Sequence, residues 1–220
     1  VLPGLAVGIT GSSVWLAFLV AALCILPAVL SKSELGTAMP KSGGTYVYIE
    51  RAFGPLFGTI AGIGLWLSLL LKSAFSLVGL SAYLYVVVNI DEAYTKAIAL
   101  LALLLIFLLN VFGLKKVEKT QLFIVSTSII SLIVIIALGL TSFDTKLTEP
   151  VFSDGTNGFI AGVAFLYISY AGVTKIAAIA GEITNPSKNL PLTMIISLFL
   201  ITTIYCLVAL ALVGNVEASI

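Results

Sequence analysis

Residues 158–191 read GFIAGVAFLYISYAGVTKIAAIAGEITNPSKNLP: an apolar stretch of helical length with a small and polar interruption near its middle and a polar stop at its end. The length matches a helix that crosses a hydrocarbon layer of about 30 Å at about 1.5 Å per residue. The interruption, Ser169-Tyr170-Ala171-Gly172, falls about halfway along, where no water is at hand for free backbone groups. Irregular backbone at that depth must line a cavity or meet a ligand, so the stretch predicts a broken membrane helix of the kind carriers use.

Working outward, composition agrees with a membrane setting. Of 220 residues, 60% are hydrophobic and 10% charged, with a mean hydropathy of +1.19, far from any soluble domain. Apolar runs of helix length, not short alternating strands, exclude a membrane β-barrel and predict an all-α, multi-pass helical bundle. Spans are expected at 14–30, 54–88, 97–114, 121–142, 158–181 and 191–214, after a partial one at 1–9. Together they form one transmembrane domain, with the first residues reading as the tail of a helix that begins earlier. The stretch 54–88 is longer than one crossing needs, which predicts a tilted helix. Residues 36–53, with Pro40, Gly43 and Gly44, read as a turn-rich connection, and 89–96, 115–120 and 143–157 as polar loops. Asn189 is expected to cap the last helix, with Pro191 in its first turn.

Charge gives direction. Lys32, Lys41, Arg51, Lys115, Lys116, Lys119 and Lys188 fall on one set of loops, Lys96 and Lys146 on the other. The basic set is expected in the cytoplasm, which makes the cytoplasmic membrane the expected location. A net charge of +1 offers nothing to nucleic acid. There is no histidine, and Cys24 and Cys206 lie within apolar runs without metal-ligand spacing, so buried thiols are expected. No cofactor is called for, no phosphate-binding GxxxxGK[ST] is present, and no nucleophile with a base points to an enzyme.

Two blocks carry a recognisable pattern: Glu34-Leu35-Gly36 with Pro40-Lys41-Ser42-Gly43-Gly44-Thr45-Tyr46-Val47-Tyr48, Phe53-Gly54 and Trp66; and Tyr170-x-Gly172 with Glu182, Asn185-Pro186 and Leu190-Pro191. With the NVFGLKKVEKTQ block at 110–121 between them, they resemble the amino acid-polyamine-organocation (APC) superfamily of amino acid permeases. The resemblance implies the leucine-transporter-like fold of two inverted five-helix repeats, here truncated to about seven spans. It also implies secondary transport of an amino acid or related amine by alternating access. A sensor or accessory subunit that binds without transporting is the alternative.

By the same resemblance the segment near Tyr170 holds the substrate's amino group on backbone carbonyls. Ile168, Ser169, Tyr170, Ala171 and Gly172 are the expected contributors, and Val173, Thr174, Lys72 and Ser73 the expected shapers of a side-chain pocket. Half-helix ends attract ions of the matching sign, and Gly172 would let the chain leave helical geometry. For Lys72 a second reading, a snorkelling or internally paired cation, stands beside the first. Lys175 and Glu182, seven residues apart, are expected on one helical face. Ser126, Thr127 and Ser128 are either sodium-binding hydroxyls or groups bonded to their own helix, which leaves a coupling proton or sodium ion open. Tyr46 and Tyr48 are expected as interfacial anchors.

Overall fold

A computed structural model describes residues 2–88, 94–111, 114–141, 143 and 155–215, with the side chains of 2, 3, 82, 85–88, 95 and 114–118 outside the description. The loops expected at 89–96 and 143–157 thus lie largely outside the described residues, whereas the loop expected at 115–120 is instead helical, as the first turns of the helix Leu114–Thr141.

Every regular element among the described residues is helical: α1 (Leu2–Thr10), a 3₁₀ turn at Gly11–Ser13, α2 (Val14–Ala38), α3 (Thr45–Phe53), α4 (Pro55–Val88), α5 (Thr95–Val111), α6 (Leu114–Thr141), α7 (Gly155–Tyr167), a 3₁₀ segment at Ile168–Glu182 and α8 (Pro186–Val213). Stretches Gly4–Ala38, Pro55–Ser81, Lys119–Thr141, Gly155–Glu182 and Pro186–Val213 are long and apolar enough to cross a bilayer. The chain is an all-α multi-pass membrane protein.

Two compact units divide it. One holds residues 1–58 and 131–220, and its core forms where α2 packs against α7, the 3₁₀ segment and α8. Val14, Ala17, Ala21, Ile25 and Val29 recur at helical spacing along the buried stripe of α2. Alanines there let neighbouring backbones approach, the main source of attraction between helices when lipid is as apolar as leucine. Midway along α7, Gly162 lies against the methyl of Thr10, which a Cβ at this position would overlap. Thr10 donates its hydroxyl to Ala6 at 2.8 Å, and Gly11, at φ 58°, turns the chain from α1 into α2.

The other unit, residues 59–130, holds most of α4, all of α5 and the start of α6. Pro55–Val88 is one uninterrupted helix of 34 residues. Large apolar side chains such as Trp66, Phe75, Leu100, Leu104 and Phe107 are exposed along α4 and α5, as suits helices whose solvent is hydrocarbon. The same logic corrects the expectation for Cys24, which is exposed on α2, because a thiol facing lipid needs no burial. Cys206 is half-buried, 3.5 Å from the Trp15 carbonyl.

Three other expectations change. Within the connection 36–53, α2 continues to Ala38 and Thr45–Phe53 forms a helix. Only 39–44 is left as a turn, with Gly43 and Gly44 at φ 127° and 57°. Tyr48 is buried, so it is no interfacial anchor, and loss of water raises its phenol pKa. The last helix starts earlier than expected: Asn185, left-handed at φ 49°, is the N-cap and Pro186 supplies the first position, while the Asn189 amide donates to the Thr184 carbonyl at 2.6 Å.

Candidate functional site

The interrupted helix changes its winding at the place where the sequence is interrupted. Gly155–Tyr167 is α-helical, and from Ile168 to Glu182 the chain winds in 3₁₀ geometry as two pieces that meet at a kink at Ile179. Runs beyond three or four residues are uncommon in this geometry because its hydrogen bonds are poorly aligned, and a long one inside a helix marks strain or a hinge. Its core side is made by Tyr170, Val173, Thr174, Ala177 and Ala180.

Gly172 is not where the backbone departs from helical angles. The non-helical residue within the segment is Ile179, at φ −107° and ψ 20°, seven residues further on. Gly172 instead supplies room: a Cβ there would meet no atom within 4 Å. The expected shared face of Lys175 and Glu182 is also lost, since seven residues at three per turn differ by roughly 120° and the Ile179 kink intervenes.

Around the transition the described side chains fall into two kinds. Tyr170 is fully buried, donates its hydroxyl to the Phe18 carbonyl at 3.0 Å and lies 5.7 Å from the Tyr205 ring. Tyr205 in turn lies 5.2 Å from the Phe18 ring, so its ring on α8 bridges α2 and the 3₁₀ segment. Val173 and Thr174 are buried, with the Thr174 hydroxyl donating to the Ala171 carbonyl at 3.1 Å. Ser169 is different: its hydroxyl oxygen is buried and finds no hydrogen-bond partner among the described residues. Ile168 and Gly172 are exposed and Ala171 is half-buried.

Ile168 to Thr174 thus stand together in the first unit. Lys72 and Ser73 belong to α4 in the second, both exposed, with the Ser73 hydroxyl donating to the Leu69 carbonyl at 2.9 Å. Thr127 and Ser128 each donate to their own helix, to Phe123 and Ile124 at 2.9 Å. Sequence reasoning missed Phe18 and Tyr205 as partners of Tyr170. Nothing in a single chain signals a pairing across 152 positions, though the aromatic character of Phe18 and Tyr205 was there to be noticed.

A set of long apolar helices, one of them rewound partway along around a buried polar group, defines the class: a helical multi-pass membrane protein. The amino acid permease family profile matches residues 2–219, and the chain belongs to that family. Among its relatives are the serine/threonine exchanger SteT of Bacillus subtilis, 27% identical over 99% of this chain and 50% of the relative. The branched-chain amino acid permease BcaP of Lactococcus lactis is 29% identical over 97% and 51%. The vacuolar cationic amino acid transporter 8 of Arabidopsis thaliana is 27% identical over 94% and 38%. The chain therefore spans between 38% and 51% of the length of these relatives.

Proposed function

We propose that the chain forms part of a secondary carrier that moves an amino acid, or a related amine, across a membrane by alternating access. The observation that carries this reading is the Ser169 hydroxyl, buried without a partner one residue past the point where α7 gives way to 3₁₀ winding. A hidden, unpaired polar group costs about 1–3 kcal/mol, and a polar ligand seated there removes that cost. Beside it, Gly172 leaves open space for the approach.

Relatives named for serine and threonine, for branched-chain, for cationic amino acids and for cystine and glutamate differ in the side chain they handle. What such molecules share is the α-amino and α-carboxyl pair. That supports recognition by main-chain groups, with the carbonyls of 168–172 facing the ammonium end and Val173 and Thr174 bounding the side chain. Poorly aligned 3₁₀ bonds leave carbonyl lone pairs available to a cation. The loop lysines favour placing Glu182 and the 39–44 turn on the cytoplasmic side of the cell membrane.

Uptake of labelled amino acids by the complete protein in sealed vesicles tests the proposal. Saturable accumulation is expected; binding without uptake would assign a sensor or accessory subunit instead.

A further inference from the structure

The far end of the 3₁₀ segment is held in a way that its middle is not. The Gly43 amide donates to the Ala178 carbonyl at 2.9 Å, and the Tyr48 hydroxyl donates to the Ala177 carbonyl at 3.2 Å. These are the two carbonyls just before Ile179, where the backbone leaves helical angles. Each can accept from outside because a carbonyl carries two lone pairs.

Glycines bring the pieces to backbone contact. A Cβ on Gly44 would lie 3.0 Å from the Ala178 Cα, and one on Gly181 would lie 3.0 Å from the Ser42 amide nitrogen. Gly36 sits beneath the Tyr48 hydroxyl and Leu190. Contact of this kind is costly to open and to re-form, since the buried Tyr48 hydroxyl would lose its acceptor. Seven residues upstream of Ile179, Gly172 has free space around it.

We infer that Tyr48 and the Gly43-Gly44 turn are positioning elements for the tail of the 3₁₀ segment, so that residues 177–181, the 39–44 turn and α3 travel as one rigid piece. The backbone change of the transport cycle then falls upstream, around residues 168–172. The inference rests on the carrier reading and adds to it where the chain bends and where it does not.

A cross-link separates a rigid piece from a gate. Gly181 Cβ and Ser42 Oγ would be 3.0 Å apart, within reach of a disulfide. In the complete protein, Ser42→Cys with Gly181→Cys is expected to take up labelled amino acid when oxidised within about twofold of its reduced rate. Uptake lost on oxidation and restored by reduction would overturn the inference, because the contact would then have to open. Tyr48→Phe, which keeps the ring, is expected to lower the maximal rate about fivefold with KM unchanged, and an unaltered rate counts against it. Amide hydrogen exchange on the unmodified protein serves as an independent readout: Gly43 is expected to exchange about 100-fold more slowly than a free peptide, with or without amino acid. Exchange at the free rate overturns the inference, whereas protection at Gly43 in a protein that carries nothing overturns only the carrier reading.

Discussion

The Tyr170 hydroxyl reaches 3.0 Å to the Phe18 carbonyl, so the first turns of the rewound segment are tied to the backbone of α2 across 152 positions of sequence. Tyr170→Phe removes the donor and leaves the carbonyl unpaired at that bond. A loss of about 1 kcal/mol is expected, seen as a lower midpoint of thermal unfolding for the complete protein in detergent. An unchanged midpoint would mean the carbonyl finds another donor.

Gly162 and Thr10 set a second, steric tie. A methyl at position 162 runs into the Thr10 methyl, so Gly162→Ala is expected to destabilise by about 1–3 kcal/mol through overpacking. Thr10→Ser removes that methyl and keeps the hydroxyl that bonds to Ala6. The double variant is expected to regain most of the loss, and a double-mutant cycle on the unfolding midpoint measures it.

Ser169→Ala separates the needs of the fold from those of a ligand. Removing an unpaired hydroxyl is expected to leave the ligand-free protein as stable as before or more so, by up to about 1 kcal/mol. Affinity for the transported amino acid is expected to fall about 3- to 10-fold. Calorimetry with the best substrate found in uptake assays checks both halves.

Tyr46 offers a pH test away from the membrane spans. Glu50, one turn along α3, accepts a hydrogen bond from the phenol and adds negative charge beside it, which together raise the Tyr46 pKa above 10.0. A raised pKa means this contact is fully present below the ordinary tyrosine pKa and is lost as pH climbs through the raised one. Glu50→Gln is expected to move the phenolate absorbance of this tyrosine to lower pH, detected as the difference between the two titrations.

Much of this was legible in the chain. Apolar length in 158–191 placed a crossing, and the winding changes at Ile168, one residue before the Ser169-Tyr170-Ala171-Gly172 interruption. The form of the change was not legible. Glycine at 172 reads as a break, yet its angles stay helical and the departure comes at Ile179, next to the carbonyls engaged by Gly43 and Tyr48 from 129 or more positions earlier. Propensity is local, and that contact is not. In the same way Pro40, Gly43 and Gly44 are strong turn signals, and they concealed the helix that begins at Thr45. Thr127 and Ser128 were readable in either of two ways, and the helix supplied the nearer acceptors.

The long 3₁₀ winding also stores length. At about 2.0 Å per residue, against about 1.5 Å in an α-helix, the nine residues from Ile168 to Ile176, upstream of the held tail and the Ile179 kink, hold roughly 4–5 Å of excess reach. Rewinding would draw in one end of the segment and screw it about its own axis without breaking the chain. A stroke of that size, geared to rotation, is what a piston needs.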